Sequence, residues 1–243
     1  MAAPLRLPRP PGPDPARRDH RSARVIEKLL PPPIATAESF HDDPVSEMYP
    51  EEFALVAESV PHRQREFGTV RNCARRALGT FGVAPGPVLP GPGRAPIWPE
   101  GIVGAMTHCT GYRCAAVARA TDIRSLGVDA EPHARIDDPG VLELVSLPEE
   151  RTQIAQLSRH QPEICWDRLL FSAKESVYKA WYPLTGRWLG FEDAHLTLDP
   201  TNASFTARLL VPGPVVDGRS LGEFNGRWLI GAGLVVTAVT IPA

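Results

Sequence analysis

Ser125–His133 reads SLGVDAEPH, and the order of residue types in it sets the rest of the chain in place. A short apolar strand ends in Asp129-x-Glu131, and Pro132 stops it. Side chains at i and i+2 of a strand leave on the same face, so both carboxylates look the same way. Two carboxylates on one face repel unless a cation or a proton offsets them. A hard ion such as Mg²⁺ fits, because it takes oxygen ligands and fills its remaining positions with water or substrate phosphate. The same pair also fits an acidic turn facing solvent, so it gains meaning only from what surrounds it.

Outward toward the C-terminus, WDRLLFSAKESVYKAW (Trp166–Trp181) has helical periodicity, with Leu169, Leu170, Ala173, Val177 and Ala180/Trp181 on the buried side. Two of the chain's three lysines, Lys174 and Lys179, fall in its last eleven residues (Phe171–Trp181), while arginine supplies nearly all the other positive charge. A position that keeps lysine calls for a compact, movable ammonium rather than a planar fork. Glu175 and Lys179 stand at i,i+4, a spacing that supports any exposed helix by a few tenths of a kcal/mol. A linker helix is expected from Val141 to about Arg159. Beyond the signature helix, HLTLD, SFTARLL, RWLIGAG and LVVTAVTI alternate as strands, which predicts an antiparallel sheet in the C-terminal half.

Toward the N-terminus, IVGAMTH and CAAVARA read as two strands joined near Gly111 and Tyr112. Residues 82–99 form a Gly/Pro loop, and a helix is expected from Pro61 through Phe67, Val70, Cys73, Ala77, Leu78 and Phe81, with Gly82 as its stop. Arg63 and Arg71 flank Phe67 by one turn on either side. Residues 25–60 carry a Pro stop at Pro31–Pro33 and an acidic stretch, without a readable function. The first 24 residues mix Pro and Arg with few large apolar groups, a composition that predicts a disordered tail.

The 243 residues carry a net charge of −2, so no global basic field argues for nucleic acid, and no apolar run approaches a membrane span. Four cysteines without a CxxC pair, in a chain lacking a secretory leader, predict a reduced, cytoplasmic protein.

Taken in order, HRQREFGTVRNCAR, MTHC, GVDAEPH, and FSAKESVYKAW with WLGFEDAHLTL resemble the 4′-phosphopantetheinyl transferases, in their surfactin-type (Sfp-like) branch and most closely its actinobacterial members. The resemblance runs from about Glu47 to the C-terminus. It implies an α+β fold of two similar lobes about a pseudo-twofold axis, residues 25–124 and 125–243, with antiparallel sheets and packed helices. It further implies a monomer that holds coenzyme A between the lobes. Phosphopantetheine would pass to a serine of apo acyl or peptidyl carrier proteins of polyketide, nonribosomal-peptide or fatty-acid synthases.

By position, the resemblance implies Asp129, Glu131 and Glu175 as Mg²⁺ carboxylates, Glu175 as the base for the serine, and Lys179 as stabiliser of the leaving diphosphate. Lys174 would also meet phosphate oxygens. Thr107 and His108 match a contact to the 3′-phosphate, and Arg63 and Arg71 the basic pair that holds the same end. Phe171, Tyr178 and Trp188 would wall the pantetheine arm, unless they are ordinary core aromatics. The family often carries a lysine where this chain has Pro90; Arg94, or the backbone of Pro90, Gly91, Pro92 and Gly93, would then make that contact. Two other classes use parts of the same pattern: a different Mg²⁺-dependent nucleotide phosphotransferase or hydrolase, and a non-catalytic carrier-protein-binding module. A zinc site built from His108, Cys109 and Cys114 matches no common ligand spacing.

Overall fold

The computed structural model describes residues 25–243; the expected disordered tail, residues 1–24, lies outside the described residues. The first lobe lays one long helix on a three-stranded antiparallel sheet. Its elements are α1 (Ile26–Leu29), β1 (Ala35–Ser39), α2 (Pro50–Ala54), α3 (Pro61–Gly79), β2 (Ile102–Cys109) and β3 (Tyr112–Arg119), with strand order β1-β3-β2. Central β3 is buried from Tyr112 to Ala118, which is why its sequence is a near-unbroken run of small apolar residues. Pro61 opens α3 at a position where a missing N–H costs nothing. Cys73, Ala74, Ala77 and Leu78 pack its inner face on Ala115 and Val117 of β3. The helix ends at Gly79, earlier than the sequence suggests, and Gly82 follows in the left-handed region at φ 74°.

The second lobe begins at β4 (Ile123–Pro132), two residues before the expected boundary. It continues through α4 (Pro139–Val145), α5 (Pro148–His160), α6 (Trp166–Thr185), β5 (Ala194–Asp199), β6 (Ser204–Leu209), β7 (Val215–Val216), β8 (Arg219–Ser220), β9 (Glu223–Gly231) and β10 (Leu234–Pro242). Five strands form an antiparallel sheet in the order β4-β10-β9-β6-β5, and β7-β8 is a separate two-stranded ribbon. The single linker helix expected over 141–159 is instead two helices. Pro148 excludes helical conformation from the residue before it, and Leu147 is extended at ψ 157°.

Strands β4 and β10 are buried on both faces, which explains the continuous apolar stretch LVVTAVTI. Val235, Val239 and Ile241 face one core with Leu169, Leu170, Ala173 and Trp181 of α6. Leu234, Val236 and Ala238 face a second core shared with α1, β2 and β3 of the first lobe. In β4, Leu126, Val128 and Ala130 join that shared core. By the two-residue alternation of a strand, Gly127, Asp129 and Glu131 then turn toward α6.

Gly127 is what lets α6 come close. A Cβ at that position would lie 1.9 Å from the Ser176 carbonyl oxygen and 2.7 Å from the Ala180 nitrogen. Small polar residues complete the seam: Ser125 Oγ donates to the Ala180 carbonyl at 2.6 Å, and Thr237 Oγ1 on β10 donates to the Ser172 carbonyl at 2.8 Å. Ser172 and Ser176 are fully buried, so the two serines of the FSAKES segment serve packing against the sheet. Gly186 ends α6 at φ 62°, donating its N–H to the Tyr182 carbonyl.

Candidate active site

Where β4 meets α6, three elements converge on one carboxylate. Asp129 Oδ1 accepts hydrogen bonds from Lys179 Nζ of α6 at 2.7 Å and from Thr107 Oγ1 of β2 at 3.0 Å. Thr107 Oγ1 also accepts the Ala130 N–H at 3.3 Å, which holds β2 along the free edge of β4. Asp129 Oδ2 is buried and has no hydrogen-bond partner. Glu131, two residues on, meets the Arg168 guanidinium at 3.3 Å.

The electrostatics of this corner are unbalanced toward negative charge. Burial first, and then the charge of Asp129, push the Glu131 carboxyl up to about 7 despite Arg168. Glu175 is also raised, by burial, with Lys179 opposing and Asp129 adding to the effect. Among the described residues no three His, Cys, Asp or Glu side chains form a ready-closed metal cage. An unpartnered buried oxygen on Asp129, beside two carboxyls whose ionisation is opposed, is nevertheless what a hard divalent cation would satisfy. The donor set is all oxygen. Cys109, pushed up to about 12 mainly by burial, and Cys114, raised for the same reason, stay protonated thiols and suit zinc poorly.

Beside this corner opens a cleft of about 980 Å³ between α3, the 90–98 loop, β2 and α6. Of the residues singled out in the sequence, Arg63, Arg71, Pro90, Gly91, Pro92, Gly93, Arg94, His108, Glu175, Tyr178 and Lys179 all line it. Arg63 donates to His108 Nε2 at 2.8 Å; a guanidinium can only donate, so that nitrogen carries no proton. Burial and then the Arg63 charge hold His108 down at about 4, and the ring is neutral at physiological pH. Arg71 is buried, lies over the Phe67 ring and donates to the carbonyls of Phe67 and Val88. Its pKa falls to about 10, chiefly through burial.

The 90–98 loop is a narrow strap. Gly91 N donates to the Ala95 carbonyl at 2.7 Å and Ile97 N to the Leu89 carbonyl at 2.9 Å. Its tip rests on α6: Gly93 has φ 62°, and a Cβ there would lie 2.2 Å from Tyr182 Cζ. A second pocket of about 270 Å³ continues past Gly93, Glu175 and Tyr178 to Trp188, Leu189 and Phe191. Tyr178 and Trp188 stand with ring centroids 5.1 Å apart there, whereas Phe171 stacks on Phe191 and lines neither space.

Four of the residues expected to meet phosphate or metal do not line the cleft: Thr107, Asp129, Glu131 and Lys174. Thr107 is turned inward to Asp129. Lys174 is buried and lines the smaller pocket rather than the cleft; its ammonium meets Glu150 at 2.8 Å and the Phe191 carbonyl at 2.5 Å.

Some contributors were not legible beforehand. Glu52, fully buried, pairs with Arg75 at 2.6 Å and accepts the Val88 N–H at 2.8 Å, fixing the root of the strap. Glu66 and Arg113 bracket His108. For Glu52 the only sequence signal was the acidic stretch near Glu51 and Glu52, which has no periodicity linking it to the strap, while Glu66 and Arg75 lie within HRQREFGTVRNCAR with nothing in their spacing to mark their partners.

Residues 51–118 match the 4′-phosphopantetheinyl transferase N-terminal domain, and residues 125–218 match the 4′-phosphopantetheinyl transferase superfamily. The chain belongs to this family. The two matches part at residues 118 and 125, on either side of the start of β4. The chain is 59% identical over 222 residues to the 4′-phosphopantetheinyl transferase Svp of Streptomyces mobaraensis, covering 90% of each protein. It is 46% identical over 224 residues to the 4′-phosphopantetheinyl transferase PptT of Mycobacterium tuberculosis, covering 90% of this chain and 97% of that one. The 4′-phosphopantetheinyl transferase Npt of Nocardia iowensis is 47% identical over 223 residues. Like the family it joins, this chain is a transferase, and no helix among its described residues is long and apolar enough to cross a membrane.

Proposed function

We propose that this phosphopantetheinyl transferase binds coenzyme A in the cleft and passes its phosphopantetheine to a serine of an apo acyl or peptidyl carrier protein. The observation that carries the reading is the corner at Asp129: a carboxylate oxygen lacking a partner, a lysine ammonium and the Glu175 carboxyl stand together at the cleft edge. In the reaction the serine oxygen bonds to the phosphorus next to the pantetheine arm. The bond from that phosphorus to the bridging oxygen breaks, and 3′,5′-adenosine diphosphate leaves.

Each group has a role set by its chemistry. Arg63, Arg71 and neutral His108 offer donors for the 3′-phosphate, and charge-assisted bonds from planar guanidinium groups suit a phosphate. The backbone of Pro90–Gly93 with Arg94 closes over the adenine side. Glu175, whose raised pKa makes it a better proton acceptor than an ordinary carboxylate, takes the serine proton. Lys179 stabilises charge growing on the leaving diphosphate. Mg²⁺, held by Asp129, Glu131 and Glu175, would neutralise pyrophosphate charge when bound. We further place the protein in the cytoplasm as a monomer serving polyketide, nonribosomal-peptide, siderophore or fatty-acid carriers.

The test is incubation of apo carrier protein with coenzyme A and Mg²⁺, read by intact mass. The carrier gains one phosphopantetheine per serine, and the gain disappears without the metal. Hydrolysis of coenzyme A with no modified carrier would instead place the protein among nucleotide hydrolases.

A further inference from the structure

Lys174 and Glu175 are adjacent in the chain and both line the smaller pocket, but only Glu175 also lines the larger cleft. Glu175 lines the cleft, while the Lys174 side chain is 3% exposed and its partner Glu150 is 0% exposed. Glu150 is in turn fully used: Oε2 accepts the Leu147 N–H at 2.7 Å, and Oε1 accepts the Leu196 N–H at 2.7 Å. One buried ion pair therefore ties α6 to the start of α5, the start of β5 and the turn at Phe191.

That turn belongs to the wall of the smaller pocket. The wall is pinned to α6 at one end by Trp181 Nε1 donating to the Arg187 carbonyl at 2.9 Å. At the other end it is pinned by Lys174 Nζ donating to the Phe191 carbonyl. Between these two points Trp188 and Leu189 face Glu175 and Tyr178 across the space.

We propose that Lys174, acting through Glu150, is a positioning residue that sets the distance between this wall and Glu175, and that it does not touch the diphosphate. The inference rests on the transferase reading above and deepens it. An ammonium that spends two of its three donors on a buried carboxylate and a carbonyl would have to leave Glu150 charged and unpaired to move to a phosphate in the larger cleft, a heavily penalised state. The wall it holds bounds whatever part of the substrate lies beyond Glu175. Loosening it disturbs the alignment of the reacting groups more than the affinity for the nucleotide end.

The experiment compares Lys174→Met with the double variant Glu150→Gln/Lys174→Met in the full chain. Coenzyme A affinity is measured by calorimetry, turnover on apo carrier protein, and hydrogen exchange over residues 187–196. We expect coenzyme A affinity within about threefold of wild type in both variants, and turnover about tenfold lower in Lys174→Met. The double variant, which leaves no buried unpaired charge, recovers part of the turnover and of the exchange protection. If Lys174→Met does not fold, as an orphaned Glu150 can cause, the double variant alone decides. A loss of affinity of about tenfold or more in the folded double variant overturns the inference in favour of direct phosphate contact. So does wild-type turnover and exchange in Lys174→Met or, where that variant does not fold, in the double variant. Should the wild-type protein transfer nothing, the transferase reading fails and the exchange measurement alone judges the positioning role.

Discussion

Lys179 Nζ lies 2.7 Å from Asp129 Oδ1, a contact between residues fifty positions apart that joins the two signature segments of the chain. The i,i+4 spacing invites a different pairing, Lys179 with Glu175. The structure sends the ammonium across to β4 and leaves Glu175 at the cleft. A lysine held this way is placed at the cleft edge before any ligand arrives, and the first expectation follows from that.

Lys179→Ala lowers single-turnover transfer at saturating coenzyme A by roughly 100-fold while changing coenzyme A affinity much less, since contacts that strengthen only in the transition state act on the chemical step. Lys179→Arg recovers little of the rate, because a planar guanidinium does not fit where a compact ammonium bridges Asp129 and the cleft. Near-normal rates for both variants would remove Lys179 from the chemistry.

Glu131→Gln removes one negative charge beside the unpartnered Asp129 oxygen. In metal-free buffer at pH 8 the variant is as stable as wild type or more so, by about 1 kcal/mol, because a repulsive, partly buried carboxylate is gone. The rise in Tm that Mg²⁺ gives the wild-type protein shrinks in the same variant. Thermal melts with and without the ion check both statements, and an undiminished Mg²⁺ effect would exclude Glu131 as a ligand.

His108 gives a pH signature with a definite sign. Its folded value of about 4 lies below the ordinary 6.5, so between those values the unfolded chain takes up a proton that the folded chain does not. Its contribution to stability is complete above pH 6.5 and is lost as pH falls toward 4. Replacement by Gln keeps a polar side chain and flattens that part of the profile. Chemical denaturation across pH 4–7 measures it, and identical slopes for the two proteins would contradict the assignment.

Gly127→Ala forces a methyl group into backbone 1.9 Å away, a contact no rotamer can relieve. We expect a loss of at least about 1–3 kcal/mol, the usual range for overpacking, and a larger fall in transfer than in coenzyme A binding, because α6 carries Glu175 and Lys179. Urea unfolding and transfer assays on one preparation test this. Wild-type stability would mean that the seam between β4 and α6 is looser than described.

The apolar periodicity of Pro61–Phe81 and Trp166–Trp181 names both long helices and their buried faces, and the alternating C-terminal strands name the sheet. Local rules suffice for these elements, because their spacing and their Gly and Pro stops are written in adjacent residues. The ordered motifs also mark the carboxylates, since Asp129 and Glu131 share a face by strand geometry alone. Sequence spacing could not allot the two lysines of one helix. Lys174 and Lys179 have the same charge and reach. Only the packing of α5 and β5 on one side of α6, and of β4 on the other, gives Lys174 to a buried Glu150 and Lys179 to Asp129. Glu52, Arg75 and the strap tip on Tyr182 were hidden for the same reason: their partners are distant in the chain, Glu52 meeting Arg75 only when α2 folds beside α3, and Gly93 meeting Tyr182 only when the strap lies on α6.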